Sequence, residues 1–282
     1  MIRKFSMKYS NYSMFSTDCW QKGLDAAIKR TVDLGFDAVE HIENVTGENW
    51  KVTSVADAKE MRKKLDDNGL SVSCYSALAK LDGDNGEKNV DNLFRHIEFA
   101  AIVGSPFVHH TLVPGYDPKE MILSREEMLE GIASRAAAVA KRCNEYGIVC
   151  LYEPQGLYFN AVEGVRAIID EMRARGCEVG VCGDTGNSLF VDVDPVDIFR
   201  AFSDDILHVH VKDYYYGRTE DASNYSYDGK KILPSPLGEG DCHIKECLSL
   251  IPDYTGDISF EFAASDEEVK RVMSLLKEKY SA

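Results

Sequence analysis

The sequence is poor in the features that mark several large function classes. It has no run of 18 consecutive apolar residues, so no helical membrane span is expected. Its eight cysteines (Cys19, Cys74, Cys143, Cys150, Cys177, Cys182, Cys242 and Cys247) never form a CxxC pair, which argues against a thiolate zinc cluster. Scattered through strand and helix patterns, they read as reduced, buried thiols of a cytoplasmic protein. No GxGxxG follows the first strand candidate, and there is no P-loop, which removes the usual phosphate cradles. Positive charge is also scarce. With 32 basic against 47 acidic residues the net charge is −15, a surface that repels phosphate backbones and makes nucleic acid an unexpected partner. The opening MIRKFSMKYSNYS is basic at first but lacks the apolar core of a signal peptide. No low-complexity linker or shift of composition divides the chain, so one domain over residues 1–282 is expected.

What is present is an eightfold alternation. Short apolar runs at Phe5–Tyr9, Ala38–Ile42, Ser71–Tyr75, Phe107–His110, Val149–Glu153, Val179–Gly183, Leu207–Lys212 and Ile258–Phe262 read as strands. Amphipathic stretches at Cys19–Leu34, Val55–Asn68, Asn89–Val103, Arg125–Tyr146, Ala161–Arg175, Pro195–Phe202, Ile244–Ile251 and Asp266–Lys279 read as helices. Gly35, Gly69, Gly104, Gly147 and Gly176 fall where a helix stops in a left-handed residue. Eight β–α units in 282 residues predict an α/β fold, the (β/α)8 TIM barrel. A doubly wound open sheet is the structural alternative.

Four ligand-type residues sit at the ends of the last four strands: Glu153 in IVCLYEP, Asp184 in VGVCGDTGN, His210 in LHVHVKD and Glu261 in DISFEF. Side chains alternate along a strand. That puts Glu153 on a face with Leu151 and Val149, Asp184 with Cys182 and Gly180, His210 with His208 and Lys212, and Glu261 with Ser259. Parallel strands closed into a barrel bring such residues to the C-terminal mouth, where this fold keeps its active sites. Three carboxylates and one imidazole suit one divalent ion, Mn²⁺ first, with Mg²⁺, Co²⁺ or Zn²⁺ as alternatives. Such an ion polarises a carbonyl and stabilises an adjacent enediolate. Glu153 and Glu261, from strands on different sides of the site, could then each move a proton at the neighbouring carbon.

These segments carry a resemblance. FDAVEHI, YEP, GDTGN, HVHVKDY, PLGEGDCHIKECL and ISFEF, in that order, resemble the xylose-isomerase-like TIM-barrel superfamily of sugar isomerases and epimerases, which also contains inosose dehydratases and metal-dependent apurinic-site endonucleases. The resemblance spans essentially the whole chain. It implies Glu153, Asp184, His210 and Glu261 as metal ligands. It also implies Glu153 and Glu261 as the acid/base pair of an epimerase, and a homodimer or homotetramer. Two positions depart from the ketose 3-epimerases. Asn187 stands where they carry a histidine three residues after the metal aspartate, and Phe159 where they carry a second glutamate.

The expected reaction is a metal-dependent isomerisation or epimerisation of a ketose or keto-sugar through an enediolate, the partner being a small sugar or cyclitol. A lyase on the same scaffold, inosose dehydratase-like or cleaving 3-oxo-glycosides, is the alternative, and the ring of Phe159 would suit an aglycone. An apurinic-site endonuclease fits poorly with seven histidines and a charge of −15. A non-catalytic subunit of a hetero-oligomer would be expected to lack a ligand. Asn187, Lys212, His110, Glu40 and Phe159 are expected to contact substrate; of His109 and His110 only one can face inward. Tyr9, Tyr12 and Phe15 are candidates for stacking on a sugar. The long, tyrosine-rich stretch Asp213–Gly240 reads as a lid or an oligomer contact.

Overall fold

The computed structural model describes residues 8–43, 49–262 and 264–280. Eight parallel strands close into a barrel: β1 (Tyr9–Asn11), β2 (Ala38–Ile42), β3 (Ser71–Ala77), β4 (Phe107–His110), β5 (Val149–Tyr152), β6 (Val179–Asp184), β7 (Ile206–Val211) and β11 (Ile258–Phe260), the last pairing with both β7 and β1. The fold is a single-domain α/β TIM barrel. Its helices are α1 (Ser13–Lys22), α2 (Leu24–Leu34), α3 (Val55–Asp67), α4 (Gly86–Val103), α5 (Arg125–Glu145), α6 (Val162–Ala174), α7 (Pro195–Ala201), α8 (Ile244–Ser249) and α9 (Asp266–Tyr280).

Local chemistry sets the helix limits. Ser54 accepts from the Asp57 amide at 3.2 Å and starts α3. Ser124 and Glu127 form a reciprocal capping box at the head of α5. Asp194 caps α7, whose first residue is Pro195. All five glycines expected to stop helices have φ between 70° and 78°.

Two expectations need correction. The stretch Cys19–Leu34 is two helices, because Gly23 (φ 90°, ψ 165°) breaks it, and the first begins at Ser13. An amphipathic count cannot see a glycine used as a hinge between two stripes of one face. The first strand is Tyr9–Asn11 rather than Phe5–Tyr9; Phe5–Met7 lie outside the described residues.

The large hydrophobic cluster fills the layer between strands and helices. A second, small one, Cys74, Leu151 and Cys182 with Phe107 and Val149, plugs the floor inside the barrel. Above this floor the barrel interior turns polar.

The stretch after β7 folds as a three-stranded antiparallel sheet, β8 (Tyr214–Tyr216), β10 (Lys231–Pro234) and β9 (Asn224–Tyr225). Asp213 ties its two ends together by accepting from the amides of Tyr214, Gly238, Gly240 and Cys242. Tyr225 and Tyr227 are 59% and 53% exposed, and Tyr215 lies beneath Arg218. Of the expected lid aromatics, only Tyr214 turns toward the barrel mouth, its ring edge-on to Phe190 at 5.8 Å.

Candidate metal centre

Each of the four strand-end residues arrives by a different local device. Glu153 is the first residue beyond β5, on the face of Leu151. Asp184 ends β6, and its Oδ1 is occupied by the turn: it accepts from the amides of Gly186 at 2.9 Å and Asn187 at 2.5 Å. That leaves Oδ2 for other work. His210 lies inside β7, paired with Asp184 and Ser259 on either side. Glu261 follows β11, its amide bonded to the Val211 carbonyl at 3.0 Å. One ligand atom from each of Glu153, Asp184, His210 and Glu261 lies within 4.8 Å of all the others. Ligands about 2.0–2.6 Å from a shared ion stand no more than about 4–5 Å apart, so a spread within 4.8 Å is compatible with one coordination sphere.

The orientation of His210 fits the same reading. Its Nδ1 faces Glu153 Oε1 at 2.7 Å and Glu261 Oε2 at 3.0 Å, while Nε2 faces Glu40 at 3.0 and 3.1 Å. A metal-binding histidine ordinarily donates its second N–H to a carboxylate, which fixes tautomer and ring. Glu40 is that carboxylate. It is wholly buried and accepts from Ser76 Oγ at 2.7 Å and His208 Nε2 at 2.8 Å as well. Burial would raise the Glu40 carboxyl, but His210 and His208 hold it well below the usual range. With its bonding capacity spent on three donors, Glu40 positions His210; the expected contact with substrate is replaced by that role.

Lys212 shows what the carboxylates lack. The residue is 95% buried, and its ammonium stands 2.8 Å from Glu261 Oε2, 3.2 Å from Asp184 Oδ2 and 2.9 Å from Asn187 Oδ1. Despite that ion pair, neither Asp184 Oδ2 nor Glu261 Oε2 has a hydrogen bond of good geometry. Burial raises Asp184 to about 7, with Glu153 and Glu261 adding to the rise against Lys212. Burial also works against Glu261, yet Lys212 and His210 bring it down to about 2. Three carboxylates with unspent oxygens around one imidazole fit a divalent cation. Gly186 makes room for this packing: a Cβ there would stand 2.7 Å from both Lys212 Cγ and Tyr214 Cε2.

The remaining expected residues divide. Asn187 faces the site: its amide nitrogen is buried without a partner while its oxygen holds Lys212. His110 turns outward, its Nδ1 against the Thr111 carbonyl and its ring edge-on to Tyr152. The inward member of the pair is His109, in register with Leu151, its ring 5.7 Å from that of His210. The alternation Phe107-in, Val108-out already distinguished them. Ser76 gives its one proton to Glu40, so His109 Nδ1 must donate to Ser76 Oγ, at 3.2 Å. Nε2 of His109 is thus an acceptor. It lies 3.4 Å from Glu153 Oε2 without a hydrogen bond, and burial, then the nearby His210, hold the ring neutral, down to about 3.

Phe159 is 2% exposed within the large hydrophobic cluster. The sequence argument from its ring to an aglycone therefore fails. Of Tyr9, Tyr12 and Phe15, only Tyr12 covers the site, its ring 5.1 Å from that of His210; Tyr9 packs on Phe260 and Phe15 on His41. Tyr116 completes the wall by packing on Phe190 at 4.5 Å. It sits in an irregular loop with no periodic signal, and sequence reasoning passed over it.

A family profile described as xylose isomerase-like TIM barrel matches residues 28–279. The chain belongs to that family. No curated protein matches the chain. Among solved structures, it is similar to a xylose isomerase-like TIM barrel protein from Mycobacterium smegmatis in complex with magnesium (18% identity, 98% of each chain, TM-score 0.70). It is also similar to AsbF of Bacillus anthracis, a probable 3-DHS dehydratase involved in petrobactin synthesis (16% identity, 96% of this chain and 99% of that one, TM-score 0.74). A third is a D-psicose 3-epimerase solved in the presence of D-fructose (18% identity, 98% and 100%, TM-score 0.72). At these identities the likeness is one of fold. Among the described residues no helix is long and apolar enough to cross a membrane.

Proposed function

We propose that this chain is a divalent-metal-dependent isomerase or epimerase of a ketose or keto-sugar, working by proton transfer through an enediolate. The observation that carries it is the convergence of Glu153, Asp184, His210 and Glu261 within 4.8 Å at the barrel mouth. Glu153, Asp184, His210 and Glu261 would hold a divalent ion such as Mn²⁺, which would supply Lewis acidity toward a substrate carbonyl. Glu153 and Glu261 approach from β5 and β11, on different sides of the site, and serve as the proton acceptor and donor at the carbon beside the carbonyl. Lys212 and the free amide of Asn187 bind substrate oxygens. His109 Nε2 accepts from a substrate hydroxyl next to Glu153. Tyr12, Tyr116 and Tyr214 exclude water. A lyase remains the second reading, because Lys212 beside Glu261 offers a buried cation to a departing oxygen and one similar fold is a probable dehydratase.

The experiment is proton exchange in heavy water with Mn²⁺-loaded protein and a panel of ketoses, inososes and 3-oxo-glycosides. Solvent deuterium should enter a carbon-bound position of at least one substrate. An unsaturated product or a released aglycone would move the assignment to the lyase. No exchange across the panel would reject the reading for those substrates.

A further inference from the structure

Cys182 stands two residues before Asp184 on β6, on the same inward face. It is fully buried. Its sulfur, one oxygen of Glu153 and one nitrogen of His210 lie within 4.8 Å of one another. Two members of the mouth set therefore belong to a second set in which sulfur replaces the oxygens of Asp184 and Glu261. Cysteines elsewhere are not so placed. Cys19, Cys143, Cys150, Cys177, Cys242 and Cys247 belong to the outer hydrophobic layer. Cys74 lies inside the barrel but groups with Glu40 and His208, and both oxygens of that glutamate are already taken by Ser76, His208 and His210. Leu151 and Val149 line the same floor, so packing alone has no need of a thiol. What sulfur adds is softness: thiolate favours softer ions such as zinc, whereas carboxylate oxygen suits magnesium and manganese.

We propose that Cys182 gives this centre a sulfur donor, so that thiophilic divalent ions are held by Glu153, Cys182 and His210 while hard ions are held by Glu153, Asp184, His210 and Glu261. This rests on the metal reading of the mouth and extends it to metal choice. On coordination the S–H bond breaks, the sulfur–metal bond forms, and the proton passes to bulk buffer.

Co²⁺ is the probe. Wild-type protein loaded with one equivalent should show a near-ultraviolet sulfur-to-cobalt charge-transfer band. The band should vanish in Cys182→Ser and Cys182→Val and persist in Cys74→Ser. Loss of the thiol should lower Zn²⁺ affinity by at least the roughly 10- to 100-fold that a lost outer-shell partner costs, and Mn²⁺ affinity by less than about 10-fold. Cobalt bound with d–d bands alone would overturn the proposal and leave the oxygen-rich site standing. A band that depends on Cys74 would overturn it in favour of the deeper trio. Failure to bind Co²⁺ at all, measured by calorimetry, would reject both this proposal and the metal reading. Absence of the band in wild type overturns the proposal whatever the variants do, and if Cys182→Ser or Cys182→Val fails to fold, the other together with Cys74→Ser assigns the sulfur.

Discussion

Two groups of ligand-type side chains share the inside of one barrel. Glu40, Cys74 and His208 lie within 4.8 Å of one another, as do Glu153, Asp184, His210 and Glu261. By residue type alone, both qualify as metal sites. Their bonding differs. In the first, both oxygens of Glu40 are taken by Ser76, His208 and His210, and His208 Nε2 also meets Ser259 at 3.0 Å, so that only His208 Nδ1, a nitrogen rather than a carboxylate oxygen, is left without a partner. All three residues are fully buried. In the second, Asp184 Oδ2, Glu261 Oε2 and the Asn187 amide nitrogen lack hydrogen bonds, and the Glu261 side chain is 24% exposed. Unspent carboxylate oxygens with access mark a site; spent carboxylate oxygens without access mark scaffolding. The scaffold here serves the site, since Glu40 fixes the ring whose far nitrogen faces the carboxylates.

The comparison breaks if the two groups respond alike to mutation. Glu153→Gln and Glu261→Gln should each lower the exchange rate by about 1,000-fold, the scale of a lost general acid or base, with urea stability unchanged or slightly raised. Near-wild-type exchange in both would remove the proton-carrier assignment. Glu40→Gln should do the reverse in kind. It removes the buried carboxylate that accepts from Ser76, His208 and His210, so stability should fall by about 3 kcal/mol, read by urea titration. Its metal affinity should drop by about 10- to 100-fold through the freed His210 ring. A Glu40→Gln protein as stable as wild type would show that the deeper group is not scaffolding.

How much of this could be read from the chain follows from the same contrast. The alternation of apolar runs and amphipathic stretches specified the barrel, and strand parity aimed Glu153, Asp184, His210 and Glu261 inward. Parity also held the choice of His109 over His110, through Val108 on the outward face. What sequence could not carry was partnership across strands. Glu40 looks like a substrate contact until Ser76, His208 and His210 are seen to use all its oxygens. Phe159 looks like a pocket wall until its ring is found in the core. Gly23 broke one helix in two because a stripe of apolar residues continues across a bend. Tyr116 lies in an irregular loop, where no periodicity speaks.

Metal removal sharpens the comparison more gently. An ion present at about 100 times its Kd stabilises the folded chain by about 2.7 kcal/mol. EDTA should therefore lower the melting temperature of wild type and of Cys74→Ser alike, and should do nothing to Asp184→Asn if that carboxylate is a ligand. A melting temperature indifferent to EDTA in wild type would count against the mouth as a cation site.

The gentlest dependence, read as a slope with pH rather than as a step, is one of sign, in the metal-free protein. Asp184 has its folded pKa raised from 3.8 to about 7 by burial. The folded state then binds more protons than the unfolded state between those values, so this group's contribution to stability is present at low pH and is lost as pH rises through that window. Glu40 runs the other way. Burial opposes its ionisation, but His210 and His208 set its folded value well below 4.5. Its contribution is present above 4.5 and is lost as pH falls. A single group cannot change stability by more than about 1.4 kcal/mol per pH unit. Comparing Asp184→Asn with metal-free wild type by urea titration from pH 4 to 7 isolates the first of these. The variant should lose the downward slope that Asp184 adds. If the two curves are parallel, the carboxylates at the mouth are not crowded in the way the geometry implies, and the difference between the two groups reduces to access alone.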